Sequence, residues 1–319
     1  MENSTINPAP PALAGLTWRP VGRDDLAALV DLAGTCFQVD GGLDFLFEPD
    51  NLKDHYFPDA SGAGIGAFAA DGQLVACTTV HLGGESGQQR SVIVGQVHPE
   101  LRNRGIGTFL MRWSQKQART LLAAATAEQR LLQVKTESLS ESADRLYLAH
   151  GFKSADEQLV MRRDLHLPLP DCPLPPDVMI TTWQPDLADQ FFQAYDAAFR
   201  ERPGFPGWTA AEWVDSWTND EFKPEWSLLA RLGDLPVGFL NAAANPPDGF
   251  VVQVGVIPTL RRRGLGSALM VETMRRMLVD GAASIQLTVN LNNPGAIQAY
   301  VELDFATVGR RARYERIVE

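Results

Sequence analysis

Residues 108–122 and 267–278 are amphipathic at helical spacing, and each stretch follows a β-rich run, 91–97 and 250–256. Between run and helix lies a glycine-bearing turn, so both segments read strand, turn, helix. Upstream, Asp71-Gly72 before Gln73-Leu74-Val75-Ala76 and Gly233-Asp234 before Leu235-Pro236-Val237-Gly238-Phe239 supply hairpin turns. Each half therefore predicts a short strand, helices, a hairpin, a strand, the turn, a long helix, another strand, a shorter helix and a closing strand. That is an α+β pattern.

The same order is written twice. Val97-His98-Pro99-Glu100-Leu101-Arg102-Asn103-Arg104-Gly105-Ile106-Gly107 returns 159 residues later as Val256-Ile257-Pro258-Thr259-Leu260-Arg261-Arg262-Arg263-Gly264-Leu265-Gly266. Thr17-Trp18-Arg19-Pro20 matches Thr182-Trp183-Gln184-Pro185, and Leu146-Tyr147 through Gly151-Phe152 matches Ala299-Tyr300 through Asp304-Phe305. A period of half the chain means duplicated domains, since solenoid repeats run about 20 to 50 residues. Between the copies, prolines 168, 170, 173, 175 and 176 deny the backbone helix and ladder hydrogen bonds. The expected organisation is a loose tail over 1–13, a domain over 14–165, a proline-rich linker over 166–177 that could pack as a strap, and a second domain over 178–319.

A turn that opens a helix presents about four backbone N–H groups without intrahelical partners and a partial positive charge, which suits a phosphate. Gly105 and Gly107, like Gly264 and Gly266, let an anion approach without a Cβ in the way, and Arg102 and Arg261 are placed to add charge-assisted hydrogen bonds. A dinucleotide fingerprint would need a third glycine where Leu110 and Leu269 stand, and a P-loop would need a lysine after glycine, which none of the five lysines provides.

Net charge changes the picture little. The value of −11 is shared between the halves, which argues against a nucleic-acid surface. Three scattered cysteines, Cys36, Cys77 and Cys172, read as free thiols in a reducing compartment, and no apolar run is long enough for a membrane span. The N-terminal residues lack the features of a signal peptide, so the expectation is a cytoplasmic protein with neither nucleic acid nor membrane as partner. The five histidines show no ligand spacing, and no metal is expected.

The pattern Val-x-Pro-x-x-Arg-x-x-Gly-x-Gly, present in both halves with a tyrosine downstream, resembles the Gcn5-related N-acetyltransferase (GNAT) superfamily. The resemblance implies two tandem domains, each a mixed, mostly antiparallel sheet flanked by helices, with acetyl-CoA as cofactor. It implies cofactor contacts at Gly95, Gln96, Val97, Arg102, Asn103, Arg104, Gly105, Ile106, Gly107 and Thr108 in the first copy. In the second it implies Val254, Gly255, Val256, Arg261, Arg262, Arg263, Gly264, Leu265, Gly266 and Ser267. It further implies that Asn293 contacts the cofactor and that Tyr300, or Tyr147 in the first copy, donates a proton to the departing thiolate.

Residues 178–319 contain neither His nor Cys, which leaves direct attack of an amine on the thioester as the chemistry available there. Asn293-Pro294 also reads as an N-cap with proline at the first helical position. The first copy has Ser140 in place of that asparagine, and the positions where some family members carry a glutamate hold Gln133 and Thr288. Asp248, Glu225 and Asp220 are the carboxylates near expected pocket elements. Phe205, Trp208, Trp213, Trp217 and Trp226 read as core or as an acceptor pocket. The reading is an acetyltransferase acting on a small-molecule amine, with the C-terminal copy favoured as catalytic. A non-catalytic acyl-CoA sensor, and catalysis by the N-terminal copy, stay open. Oligomeric state and acceptor identity are not legible.

Overall fold

The computed structural model describes residues 9–13, 15–58, 62–85, 88–123, 129–202, 205 and 207–318, so the first eight residues of the expected tail lie outside the described ones. The chain forms two compact units, Met1–Val160 with Val308–Glu319, and Met161–Thr307.

The first unit runs β1 (Thr17–Pro20), α1 (Leu26–Asp40), α2 (Pro49–Tyr56), β2 (Gly62–Phe68), β3 (Leu74–Glu85), β4 (Gln88–Val97), α3 (Ile106–Ala123), β5 (Gln129–Thr136), α4 (Glu141–Ala149) and the first part of β6 (Lys153–Asp164). β1 to β4 pair antiparallel in sequence order, and β5 then joins β4 in parallel. α3 forms because Ile106, Phe109, Leu110 and Trp113 fall on one face, and these bury, with Ala118 and Leu122 further along, in one core with Val80, Ile93, Leu132 and Val134 of the sheet. The opposite face is covered by α1 and α2, whose Leu29, Leu32, Ala33, Cys36, Leu52 and Tyr56 pack on Cys77, Val92 and Val94.

The second unit repeats the plan with β7 (Val178–Thr182), α5 (Ala188–Phe199), α6 (Ala210–Asp215), β8 (Leu228–Leu232), β9 (Leu235–Asn245), β10 (Asp248–Val256), α7 (Leu265–Val279), β11 (Ser284–Asn290) and α8 (Pro294–Glu302). β7 to β10 pair antiparallel, with a bulge between Val251 and Gln253 where β10 meets β9, and β11 joins β10 in parallel. Its α5–α6 face is an aromatic core. Trp213 is completely buried, stacks on Tyr195 at 4.6 Å and meets Trp217 at 5.0 Å. The aromatic run is therefore mainly packing, and Trp208 is its exposed member.

The closing strand differs from expectation. Its position in the repeat points β12 (Ala306–Ile317) to the second domain, yet Val308–Glu319 belongs to the first unit, where β12 pairs antiparallel with β5 from Ala312↔Thr136 to Ile317↔Leu131. Packing decides it. Tyr314 is fully buried in the first unit's core, 5.0 Å from the Tyr147 ring, and its hydroxyl donates to Asp144 at 2.6 Å. A Cβ on Gly41 would lie 1.7 Å from the Val308 carbonyl oxygen, so this approach requires glycine. β6 makes the opposite crossing, since Met161–Asp164 belongs to the second unit, beside β11. There the fully buried Arg163 guanidinium donates to the carbonyls of Leu303 and Pro168 at 2.8 and 2.7 Å, pinning the start of the proline-rich segment.

Candidate functional site

In each unit the two parallel strands pair only over their first part. β4 and β5 stay in register from Gln88↔Gln129 to Ile93↔Val134 and then part, although β4 continues to Val97 and β5 to Thr136. β10 and β11 part likewise after Val251↔Leu287. Beyond each fork the inner strand edges no longer serve each other as ladder partners, so their N–H and C=O groups are available to a bound molecule.

The glycine-bearing loops take the same conformation twice. Asn103 and Arg262 have φ of 61° and 58°, and Gly105 and Gly264 have φ of 84° and 80°. A Cβ on Gly105 or Gly264 would meet nothing within 4 Å, so backbone conformation demands these glycines and the space before them is open. Gly107 is small for another reason: a Cβ there would stand 3.1 Å from the Leu146 side chain of α4.

The first arginine of each loop is engaged within its own unit. Arg102 donates from Nε to the Val97 carbonyl at 3.1 Å and grips Asp40, the last residue of α1, with both terminal nitrogens at 2.7 and 2.5 Å. Arg261 repeats this, donating to the Val256 carbonyl at 3.1 Å and to Ala198, near the end of α5, at 2.7 Å. Each guanidinium ties the loop to the preceding strand and to the first helix of its unit. The N–H groups at the starts of α3 and α7 have no intrahelical partners.

A cavity of about 190 Å³ opens at the first fork. Its walls include nearly all the residues expected there: Gly95, Gln96, Val97, Arg102, Asn103, Gly105, Gly107, Thr108 and Tyr147. Arg104 is exposed and Ile106 buried, and neither lines the cavity. The Tyr147 phenol is pushed up to about 12 by burial, a hydrogen bond from Thr136 partly offsetting it. It stays protonated at neutral pH. The Gln96 Oε1 is buried without a hydrogen-bond donor, an atom that a ligand's N–H would satisfy.

Sequence reasoning missed the α1–α2 side of this cavity. Cys36, Asp40, Phe47, Leu52, His55, Tyr56, Lys135 and Glu137 line it, drawn from elements far apart in the chain. His55 is held near 4 by burial, with Lys135 and Arg311 adding repulsion, so the imidazole is neutral at pH 7. Cys36 and Cys77 are raised by burial to about 11 and 12, which makes them thiols and poor nucleophiles. Glu137 is held by Arg311 of β12 at 2.7 Å. The carboxylate absent at Gln133 is present beside it, because Glu315 of β12 accepts from the Gln133 amide at 2.9 Å, though Glu315 does not line the cavity.

In the second unit Asn293 caps α8, its Oδ1 accepting from the Ala296 N–H at 3.3 Å, and Ser140 caps α4 through Ala143 at 3.2 Å. The asparagine and serine thus occupy equivalent structural positions. Tyr300 is raised to about 12 by burial, with Arg202 opposing. Asp304 adopts φ of 62° where the first copy has Gly151 at 80°, so the departure from glycine leaves the turn unchanged. Of the carboxylates considered as bases, Asp248 is buried in a pair with Arg162 at 3.0 Å, and Glu225 and Asp220 are exposed. Among the described residues no three of His, Cys, Asp and Glu gather to hold a metal, and no helix is long and apolar enough to cross a membrane.

A twice-built fork with a left-handed glycine turn at a helix start is matched by two family models. The acetyltransferase (GNAT) family model covers residues 187–305 and the acetyltransferase (GNAT) domain model covers residues 60–154. The chain belongs to the GNAT acetyltransferase family. It is similar to a mycothiol acetyltransferase of Frankia casuarinae, 30% identical over 249 residues covering 73% of this chain and 70% of that protein. A mycothiol acetyltransferase of Parafrankia sp. is 25% identical over 332 residues, covering 95% and 99%. Among solved structures, a GCN5-related N-acetyltransferase from Sphaerobacter thermophilus superposes with a TM-score of 0.73 at 26% identity over 96% of both chains. A tandem GNAT protein from the clavulanic acid biosynthesis pathway shares the fold, with a TM-score of 0.60 at 14% identity over 95% of this chain and 98% of that one. As a tandem GNAT protein the chain is an acetyl-CoA-dependent N-acetyltransferase.

Proposed function

We propose that this protein transfers an acetyl group from acetyl-CoA to a small-molecule amine by direct attack, and that the cavity at the first fork is where the two meet. Acetyl-CoA supplies an acetyl group already activated as a thioester. The observation that carries the reading is the cavity itself, which joins the loop before α3, the unpaired edge of β4 and the Tyr147 phenol in one space. The N–H groups at the start of α3 suit the pyrophosphate. Backbone N–H groups of 95–97 would polarise the carbonyl, and Tyr147 would return a proton to the departing sulfur. The burial that raises the phenol acts equally on a thiolate formed beside it, which keeps the two close enough in acidity for transfer. Relatives named mycothiol acetyltransferase support a small acceptor. A cytoplasmic location fits the three free thiols.

A second reading places the chemistry in the second unit, favoured by Asn293 with Tyr300 and by the bulge of β10 against β9, which falls where its pairing with β11 ends. Paired substitutions separate the two. Tyr147→Phe is expected to lower kcat by about 100-fold while acetyl-CoA still binds, and Tyr300→Phe to leave kcat within about twofold. The reverse result would move the chemistry to the second unit. No turnover with any amine, together with intact cofactor binding, would favour an acyl-CoA sensor.

A further inference from the structure

Asp40, Glu137, Arg102 and Lys135 are the charged residues of the cavity wall, and although they sum to zero the ion pairs leave one of them over. Asp40 is neutralised by Arg102 and Glu137 by Arg311, while Lys135 lines the same cavity and has no ion-pair partner among the described residues. Its neighbours supply no free counter-charge: His55 and His81 are imidazoles that burial keeps neutral at pH 7, and across the ladder on β12 stand Arg313 and a Glu315 already paired with it. Opposite Lys135 stands the donor-free Gln96 Oε1, in a side chain whose amide faces the Tyr56 hydroxyl.

The register places these two residues on opposite lips of the fork. Ile93↔Val134 is the last paired position, Gln96 lies three residues beyond it on β4, and Lys135 is the next residue on β5. Both share a sheet face with Val92, which packs under α1 and α2, since Val92 lies across from Gln133 and side chains alternate along each strand. One lip therefore offers a hydrogen-bond acceptor and the other an unpaired cation, with His55 and Tyr56 above both.

We propose that the acceptor side of the first cavity takes a small amine that also carries a carboxylate, an amino-acid-like zwitterion, its N–H held by Gln96 and its carboxylate by Lys135. This rests on the reading that the first cavity is the acetyl-transfer site. The zwitterion gives the buried Gln96 Oε1 the donor it lacks and brings a carboxylate to Lys135, which is exposed and free to exchange water for an anion, whereas a simple carboxylate would leave Gln96 without a donor.

The test is calorimetric titration of the full chain, in the presence of CoA, with the proteinogenic L-amino acids and their α-carboxamides, alongside mass-spectrometric detection of N-acetyl product. At least one amino acid is expected to bind about tenfold more tightly than its carboxamide, the size of one charge-assisted contact. Lys135→Gln is expected to abolish that difference, Lys135→Arg to keep it, and Gln96→Leu to weaken acid and carboxamide together. Carboxamides binding as well as acids, no amino acid binding, or a preference that survives Lys135→Gln would each overturn the inference. So would Lys135-dependent preference for succinyl-CoA over acetyl-CoA, which would put the carboxylate on the acyl group. Binding without acetylated product would retain the inference and remove catalysis from this cavity. Tyr147-dependent acetylation confined to amines without a carboxylate would do the opposite.

Discussion

Asp304 and Gly151 hold the same left-handed turn after the last helix of each half, and only one of them does so without strain. Asp304→Gly is expected to stabilise the protein by about 0.5 kcal/mol, less than relief of a full left-handed penalty, because aspartate tolerates this region and its carboxylate lies 3.9 Å from Arg163. Urea unfolding measures it, and a loss of stability would mean the ion pair matters more than the backbone. Two half-buried histidines set a pH limit. His55 and His81 sit near 4 when folded against an unfolded value near 6.5, so the unfolded chain binds more protons between those values. Stability should be level above about pH 6.5 and fall as pH drops toward 4. Urea midpoints across that range check the prediction, and replacing either histidine with glutamine should flatten the curve.

At the scale of elements, the two arginine clamps carry the clearest prediction. Arg102→Ala leaves the partly buried Asp40 without its partner and frees the loop from α1, so a loss of about 2 kcal/mol is expected together with weaker acetyl-CoA binding. A pure phosphate-contact residue would lose affinity at unchanged stability. The loop itself was legible in the sequence, because a proline after a strand, an arginine and two spaced glycines constrain backbone geometry locally. The hairpins, the long helices and the caps at Asn293 and Ser140 were legible for the same reason. The acceptor wall was not. His55, Tyr56, Lys135 and Glu137 are ordinary residue types at no special spacing, and only the packing of α2 over the sheet gathers them. The partner of β12 was hidden too, since an alternating strand does not say which open edge it will meet, and the repeat points to the wrong unit.

Across the whole molecule, duplication leaves two loops of one conformation, and their equivalence can be counted. Titration calorimetry with acetyl-CoA is expected to give two sites per chain, falling to one in Gly264→Glu, where a carboxylate would project into the space before α7. One site falling to none would make the first loop a scaffold and remove the proposed catalytic cavity. The placement of β12 also bears on the order in which the protein comes to exist. Thr136 leaves the ribosome 172 residues ahead of Val308, so the free edge of β5 and the gap left by Tyr314 wait on the order of ten to thirty seconds for the strand that fills them. Throughout that interval the nascent first half presents an open sheet edge and an unfilled core. It matures only after the second half has been made, and translation speed over residues 137–307 sets how long it stays exposed to aggregation.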